Sequence, residues 1–447
     1  MQAEPRAPTD PGEPRVEPAA ALDVVTLAAA LLFVNGQTTR RMIDAVTRLA
    51  SALGFTAAVF PRWGELTLRL ESRNAQSSTT IAADPAGVDM HKVAAAMSVI
   101  DDVCAGRMGL EAARSALKAI GDMPPVSVAR FASMAAAGAM ALGVIFGAMH
   151  VPTLVLIGLS AGAGACLRRW LAGRSLNPFV QPFCAALLAG VIGAVAVRLQ
   201  LSTMQRLVAV CPCMVLVPGP HVLNGAIDLL RAQIALGASR IAYASLIILA
   251  ICAGLLAGLA CGGATLPVSG ASLPVPLWSD VIAAGVAVAA YGTFFAMPWR
   301  TLPFPILIGM LAHAGRWFLI SVMGASLEAG AFAACLLVGI VVTPLADRLR
   351  LPFAAFAFAS VVSLIPGVFL FRMAGGLVDL IAVGDKATLD LLAGIAADGI
   401  TAFMIVLAIT FGLILPKMAM EHVRPSPTGP ADPRPPCPRR TGGSRMS

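Results

Sequence analysis

The chain has 447 residues, 58% hydrophobic and 13% charged, with a mean hydropathy of +0.82 and a net charge of +8. These values lie far outside the soluble range and mark a polytopic membrane protein. The excess positive charge is spread through short loops and the C-terminal tail rather than massed on one patch, so it reports membrane topology and speaks against a nucleic-acid partner.

In chain order, the first twenty residues carry Pro5, Pro8, Pro11, Pro14 and Pro18 among charges and read as a disordered arm. Val24–Val34 is apolar but too short to span a bilayer, and its acidic flank suits a buried helix better than a signal peptide. Residues 21–125 read as a small cytoplasmic α/β domain. Thr38 or Thr39 caps a helix through Leu53; strands follow at Thr56–Phe60, Glu65–Glu71 and Ser77–Ala82, then helices at Asp89–Ala105 and Leu110–Ile120. Pro124-Pro125 ends the domain.

Ten apolar spans follow, at about 127–149, 152–170, 180–198, 205–223, 241–262, 279–298, 303–324, 328–346, 352–373 and 392–415. With the N-terminal domain in the cytoplasm, Arg168, Arg169, Arg174, Arg231, Arg240, Arg300, Arg348, Arg350 and Lys417 fall inside, while the 263–278 loop and Glu328 fall outside. Arg198, Arg206 and Lys386 fit that orientation less well. Both termini are then cytoplasmic, in a cell (inner or plasma) membrane protein. Residues 419–447 are Pro- and Arg-rich and read as a disordered tail that touches anionic lipid.

The spans repeat. Pro152-Thr-Leu-Val-Leu-Ile-Gly158 matches Pro303-Phe-Pro-Ile-Leu-Ile-Gly309, Leu187-Leu188-Ala189-Gly190 matches Leu336-Leu337-Val338-Gly339, and Pro218-Gly219 matches Pro366-Gly367. Five spans per half, 126–265 and 277–418, is an odd number, so the fold class expected is two inverted five-helix repeats. The two Pro-Gly pairs break a span in each half, and lipid cannot satisfy the backbone groups they free, so the breaks should line a polar cavity or lie buried in protein. This makes Pro218, Gly219, Pro366 and Gly367 candidate substrate-binding residues. Behind the first break His221, Asn224 and Asp228 share a helical face; behind the second come Arg372 and Asp379. His313, Arg316 and Asp398 are further ionisable residues within spans and candidates for proton coupling.

The segment Pro218-Gly-Pro-His-Val-Leu-Asn224-Gly-Ala-Ile-Asp228 resembles the Pro-Gly…Asn-Gly…Asp signature of the threonine/serine exporter family. Gly36-Gln-Thr-Thr-Arg-Arg41 with Ala52-Leu-Gly-Phe55 resembles the start of that family's N-terminal domain, and Ser363-Leu-Ile-Pro-Gly367 the second-half counterpart. The resemblance covers residues 20–418. It implies ten spans, a cytoplasmic N-terminal domain, and export of threonine or serine driven by the proton-motive force. One departure stands out: Ile43 occupies the place of an expected Glu, with Asp44 next.

A zwitterion suits these residues, its carboxylate at a half-helix N-terminus and its ammonium or hydroxyl at Asn224 and Asp228. Two-protein relatives linked to succinate efflux keep a dicarboxylate open, with Arg316 and Arg372 as its partners. The competing class is an intramembrane serine hydrolase, from Gly158-Leu-Ser160-Ala-Gly162 with His313 as base, although Gly158-x-x-x-Gly162, Gly143-x-x-x-Gly147 and Gly254-x-x-x-Gly258 equally read as helix-packing motifs. A channel is the third class. No phosphate-binding loop occurs, and neither cofactor nor metal is expected: Cys211-Pro-Cys213 lacks metal or redox spacing, and the other cysteines read as packing residues. Expected partners are a small amino acid or carboxylate, protons and membrane lipid; the sequence leaves a monomer and a homo-oligomer both open.

Overall fold

The computed structural model describes residues 17–72, 76–174, 177–201, 205–264, 275–364 and 366–423. Most of the expected arm, most of the 263–278 loop and the tail after residue 423 lie outside these. The helix expected at Val24–Val34 starts earlier, as α1 (Pro18–Val34), and Val24, Val25, Ala28, Ala29, Leu32 and Phe33 are all buried. A helix apolar around most of its girth belongs at the centre of a core. Around it pack α2 (Thr39–Ala52), α3 (Met90–Cys104), α4 (Leu110–Gly121) and an antiparallel sheet of order β1-β2-β3 (Thr56–Arg62, Gly64–Glu71, Gln76–Ala83). In β2, Leu66, Leu68 and Leu70 point into the core while Arg69 and Glu71 face out. Thr38 occupies the N-cap position of α2 but its side chain makes no capping bond.

The membrane unit comprises α5 (Val128–Ile145), α6 (Val151–Ala172), α7 (Val180–Arg198), α8 (Gln205–Met214), α9 (Gly219–Leu230) and α10 (Ile234–Cys261). A second series follows: α11 (Leu277–Phe294), α12 (Pro303–Ser321), α13 (Leu327–Arg348), α14 (Phe353–Val361), α15 (Gly367–Val383) and α16 (Leu389–Val423). Among the described residues nine helices are long and apolar enough to cross a bilayer, and α8 with α9, bent by 51°, makes a tenth. The expected ninth span needs correcting. Instead of one broken helix over 352–373, α14 and a 3-10 turn at Val362–Leu364 stop short, and α15 continues because residues 374–383 are apolar except for Asp379, until Gly384 turns the chain at φ 55°. Every residue of α14 is buried, so this helix is embedded in protein rather than lipid.

The two series pack alike. The pair α5–α6 corresponds to α11–α12, α7–α10 to α13–α16, and α9–α10 to α15–α16, while α8 touches α5, α6 and α7 as α14 touches α11, α12 and α13. The halves meet along α5 and α11 and where the broken helices cross, α14 on α9 and α15 on α8. At that crossing a Cβ on Gly219 would stand 1.7 Å from the Phe358 ring of α14, and one on Gly367 would stand 2.9 Å from Cγ of Met214 in α8. Each break is thus filled by the other half. Tyr291 Oη on α11 donates to the Met214 carbonyl at 2.8 Å, satisfying one of the acceptors left at the end of α8.

Outward faces carry Leu159, Leu249, Leu307, Ile381 and Phe403, all exposed and suited to hydrocarbon. The 35-residue α16 is about 52 Å long at 1.5 Å per residue, so it overhangs a ~30 Å hydrocarbon core and brings Glu421 to the N-terminal domain, 3.9 Å from Arg40. It also extends the ordered chain past the boundary expected at 418.

The Gly254-x-x-x-Gly258 motif is a packing motif: Cβ atoms there would lie 2.2 Å from the carbonyls of Phe183 and Leu187 on α7. Gly258→Ala is therefore expected to cost roughly 1–3 kcal/mol by overpacking, read as a lower melting temperature in detergent. Gly173→Ala, with nothing within 4 Å, should leave it unchanged.

Candidate functional site

His221, Asn224 and Asp228 share one face of α9, and that face meets the N-terminal domain. His221 Nε2 donates to the Ala86 carbonyl at 3.1 Å, Asn224 Nδ2 donates to the Gly36 carbonyl at 3.2 Å, and Thr39 Oγ1 donates to Asp228 at 3.1 Å. Thr39, one of the two residues expected to cap α2, spends its hydroxyl on this bond. Asp228, 1% exposed, also pairs with Arg240 Nε of α10 at 3.3 Å. Nearby, Met90 N–H donates to the Phe295 carbonyl at 2.8 Å and Arg350 pairs with Asp101 at 2.9 Å. Arg41 reaches the end of α13, donating to the Ala346, Asp347 and Leu351 carbonyls and to the Asp347 carboxylate at 2.8 Å. It caps the helix as a cation at a C-terminus should. Burial lowers the Arg41 pKa, with Asp347 opposing the shift. Asp44 lies 3.8 Å from Arg40 on a more open face, its pKa raised by partial burial against the pull of that arginine.

Above this seam a cavity of about 340 Å³ opens at the first break. Pro218 and His221 line it with Arg168, Gln181, Tyr243 and Tyr291, and Ala86 and Val88 of the N-terminal domain close one side. Its size falls at the lower end of the ~300–1,000 Å³ usual for small-molecule sites. Asn224 and Asp228 are not among its lining residues. Pro366 and Gly367 sit at the helix crossing.

The second half builds a different cluster. His313 on α12, fully buried, lies between Asp280 of α11 (Nδ1 to Oδ2, 2.9 Å) and Ser363 (Nε2 to Oγ, 2.6 Å), in the 3-10 turn just before the second break. A carboxylate only accepts, so Nδ1 carries the proton in the neutral ring and Ser363 donates to Nε2. Arg316 lies one turn farther along α12, within the electrostatic reach of Asp280. Arg372 pairs with Asp398 between α15 and α16 at 3.1 Å.

The structure does not bring Ser160 to His313. Ser160 Oγ is buried without a partner in a void beside Arg168, while His313 is occupied by Asp280 and Ser363. The expected Ser160–His313 pair is thereby corrected: the two residues face different parts of the bundle.

Residues 23–262 match the family model described as "Putative threonine/serine exporter", and residues 280–419 match that described as "Threonine/Serine exporter, ThrE". The chain belongs to the threonine/serine exporter family. No solved structure matches it. In this exporter-family protein the Gly36–Arg41 motif and the Pro218–Asp228 motif are the two faces of one contact: Gly36 meets Asn224 and Thr39 meets Asp228.

Reading the sequence missed Arg240, Asp280, Ser363 and the cavity role of Arg168. Arg240 fell one residue before the span drawn from 241, whereas α10 begins at Ile234. Asp280, at the edge of its span, carried the same signal as Asp398, a carboxylate in an apolar run.

Removing one member of a buried pair leaves the other uncompensated at about 3–5 kcal/mol, whereas removing both together costs far less. Asp228→Ala in this exporter-family protein should therefore destabilise it more than Asp228→Ala with Arg240→Met, as read from thermal unfolding of each in detergent.

Proposed function

We propose that this protein is a secondary transporter that exports threonine and serine from the cytoplasm across the cell membrane in exchange for protons, loading its substrate at the cavity beside the first helix break. The observation that carries this reading is the cavity itself. It lies where the two halves cross, on the side of the N-terminal domain, with polar groups converging on a space sized for a small solute. Membership of the exporter family supports the substrate class. Arg231, Arg240, Arg350 and Lys417 cluster near the N-terminal domain, and the preference for positive charge on the cytoplasmic side supports a cytoplasmic position for that domain.

The Asp280–His313–Ser363 chain is the proton-carrying element in this account. Protonating Nε2 turns it from an acceptor into a donor, so the Ser363 bond must rearrange beside the second break. That break packs on Met214 of α8, and Met214 in turn is held by Tyr291 on the cavity wall. A proton on His313 therefore has a contiguous packed route to the first break. The N-terminal domain serves as the cytoplasmic gate, because Ala86 and Val88 must move for a solute to enter from that side.

Proteoliposomes loaded with labelled threonine or serine and given an inward proton gradient test this. Wild-type efflux should rise with the gradient. His313→Gln should keep gradient-independent exchange and lose the stimulation. No gradient-dependent flux of either amino acid in the wild type would overturn the proposal, and undiminished stimulation in His313→Gln would remove the relay from it.

A further inference from the structure

We infer that the cavity at the first break is built for a single carboxylate flanked by a hydrogen-bond donor, an α-amino acid, with Arg168 receiving the carboxylate and Nδ1 of His221 accepting from the ammonium or hydroxyl. This rests on reading the cavity as the transport site, and it names the groups that select the cargo there.

Arg168 stands on the cavity wall near the end of α6. Two other in-span arginines have carboxylate partners, Arg240 with Asp228 and Arg372 with Asp398, and Arg316 lies within the electrostatic reach of Asp280. Among the described residues no carboxylate pairs with Arg168. Its guanidinium carbon lies 5.9 Å from the centre of the Phe131 ring, and its Nε is buried with no hydrogen-bond partner. Arg168 is half-buried, and a guanidinium whose Nε is enclosed without an acceptor has a planar fork that matches the two oxygens of a carboxylate. Arg169, next along the helix, donates instead to the Val126 carbonyl at 2.6 Å.

His221 supplies the complementary group. The Ala86 carbonyl can only accept, so Nε2 carries the ring proton and Nδ1 is a bare acceptor in the neutral ring. His221 is 9% exposed, and Nδ1 has no partner. The cavity thus offers one cationic donor fork and one neutral acceptor, with Tyr243 against the His221 ring at 5.3 Å. A dicarboxylate would bring a second negative charge for which the described lining has no second cation: Arg372 is paired with Asp398, and neither it nor Arg316 lines this space.

Isothermal titration of the purified full-length protein in detergent would compare L-serine, ethanolamine (serine without its carboxylate) and succinate, in the wild type and in Arg168→Gln, Arg168→Lys and Arg174→Gln. Serine should bind the wild type at least roughly tenfold more tightly than ethanolamine, as expected for a lost charge-assisted bond, and more tightly than succinate. Arg168→Gln should erase the serine–ethanolamine difference, Arg168→Lys should fall between, and Arg174→Gln, on an exposed site, should match the wild type. Equal wild-type affinity for serine and ethanolamine, binding of neither serine nor succinate, tighter binding of succinate, or retained discrimination in Arg168→Gln each overturns the inference. Should Arg168→Gln fail to fold, the wild-type comparison and the Lys variant still decide. Arg168-dependent serine binding without gradient-driven efflux would sink the export reading alone; full efflux by Arg168→Gln would sink the inference alone.

Discussion

The arrangement depends on Asp228. A carboxylate at 1% exposure on a broken helix is tolerable only with a counter-charge and a hydrogen-bond donor at hand. Arg240 supplies the first from α10 and Thr39 the second from the N-terminal domain. The N-terminal domain is thereby held to the consecutive helices α9 and α10 at one point, through residues 189 positions apart, and the flanking bonds from Asn224 and His221 extend that point into a seam along α9. The N-terminal domain cannot leave α9 without uncovering these groups. Its core and that of the membrane unit also interleave, Met90 packing into the membrane core and Leu236 into the N-terminal core.

Directly above the seam the two broken helices cross. A broken span normally leaves backbone groups that demand water or a ligand, yet here each break receives the other half: Phe358 over Gly219, Met214 against Gly367, Tyr291 on the Met214 carbonyl. This interlocking joins the buried imidazole of one half to the cavity of the other. Two packed arrangements of such a crossing, rather than a continuous deformation, are what alternating access requires.

The sequence was most legible where backbone physics dominates. The Pro-Gly pairs, the matched anchors of the two halves and the leucine alternation of β2 announce the breaks, the repeat and the sheet, because each reflects a local rule. The α14 segment misled: Phe353–Val361 has the hydropathy of a span, and hydropathy does not distinguish a helix buried in protein from one in lipid. The partners of polar residues were the least legible. The spacing of His221, Asn224 and Asp228 established that they share a face, but not that the face meets Gly36, Thr39 and Ala86, since those contacts link residues up to 189 positions apart. The same limit hid Ser363 as the neighbour of His313, and let positive-inside reasoning absorb Arg168 as a topology marker although its side chain borders the cavity.

The central claim is that the docked N-terminal domain closes the cavity and must move for transport. Met90 and Phe295, joined by a 2.8 Å backbone bond across the seam, lie within reach of a disulfide, which needs Cα atoms about 4.4–6.8 Å apart. The decisive measurement is gradient-driven threonine efflux by Met90→Cys/Phe295→Cys, made in a background whose nine native cysteines are replaced by alanine, before and after reduction. The account predicts that the oxidised protein is silent and that reduction restores efflux; equal efflux in the two states would contradict it.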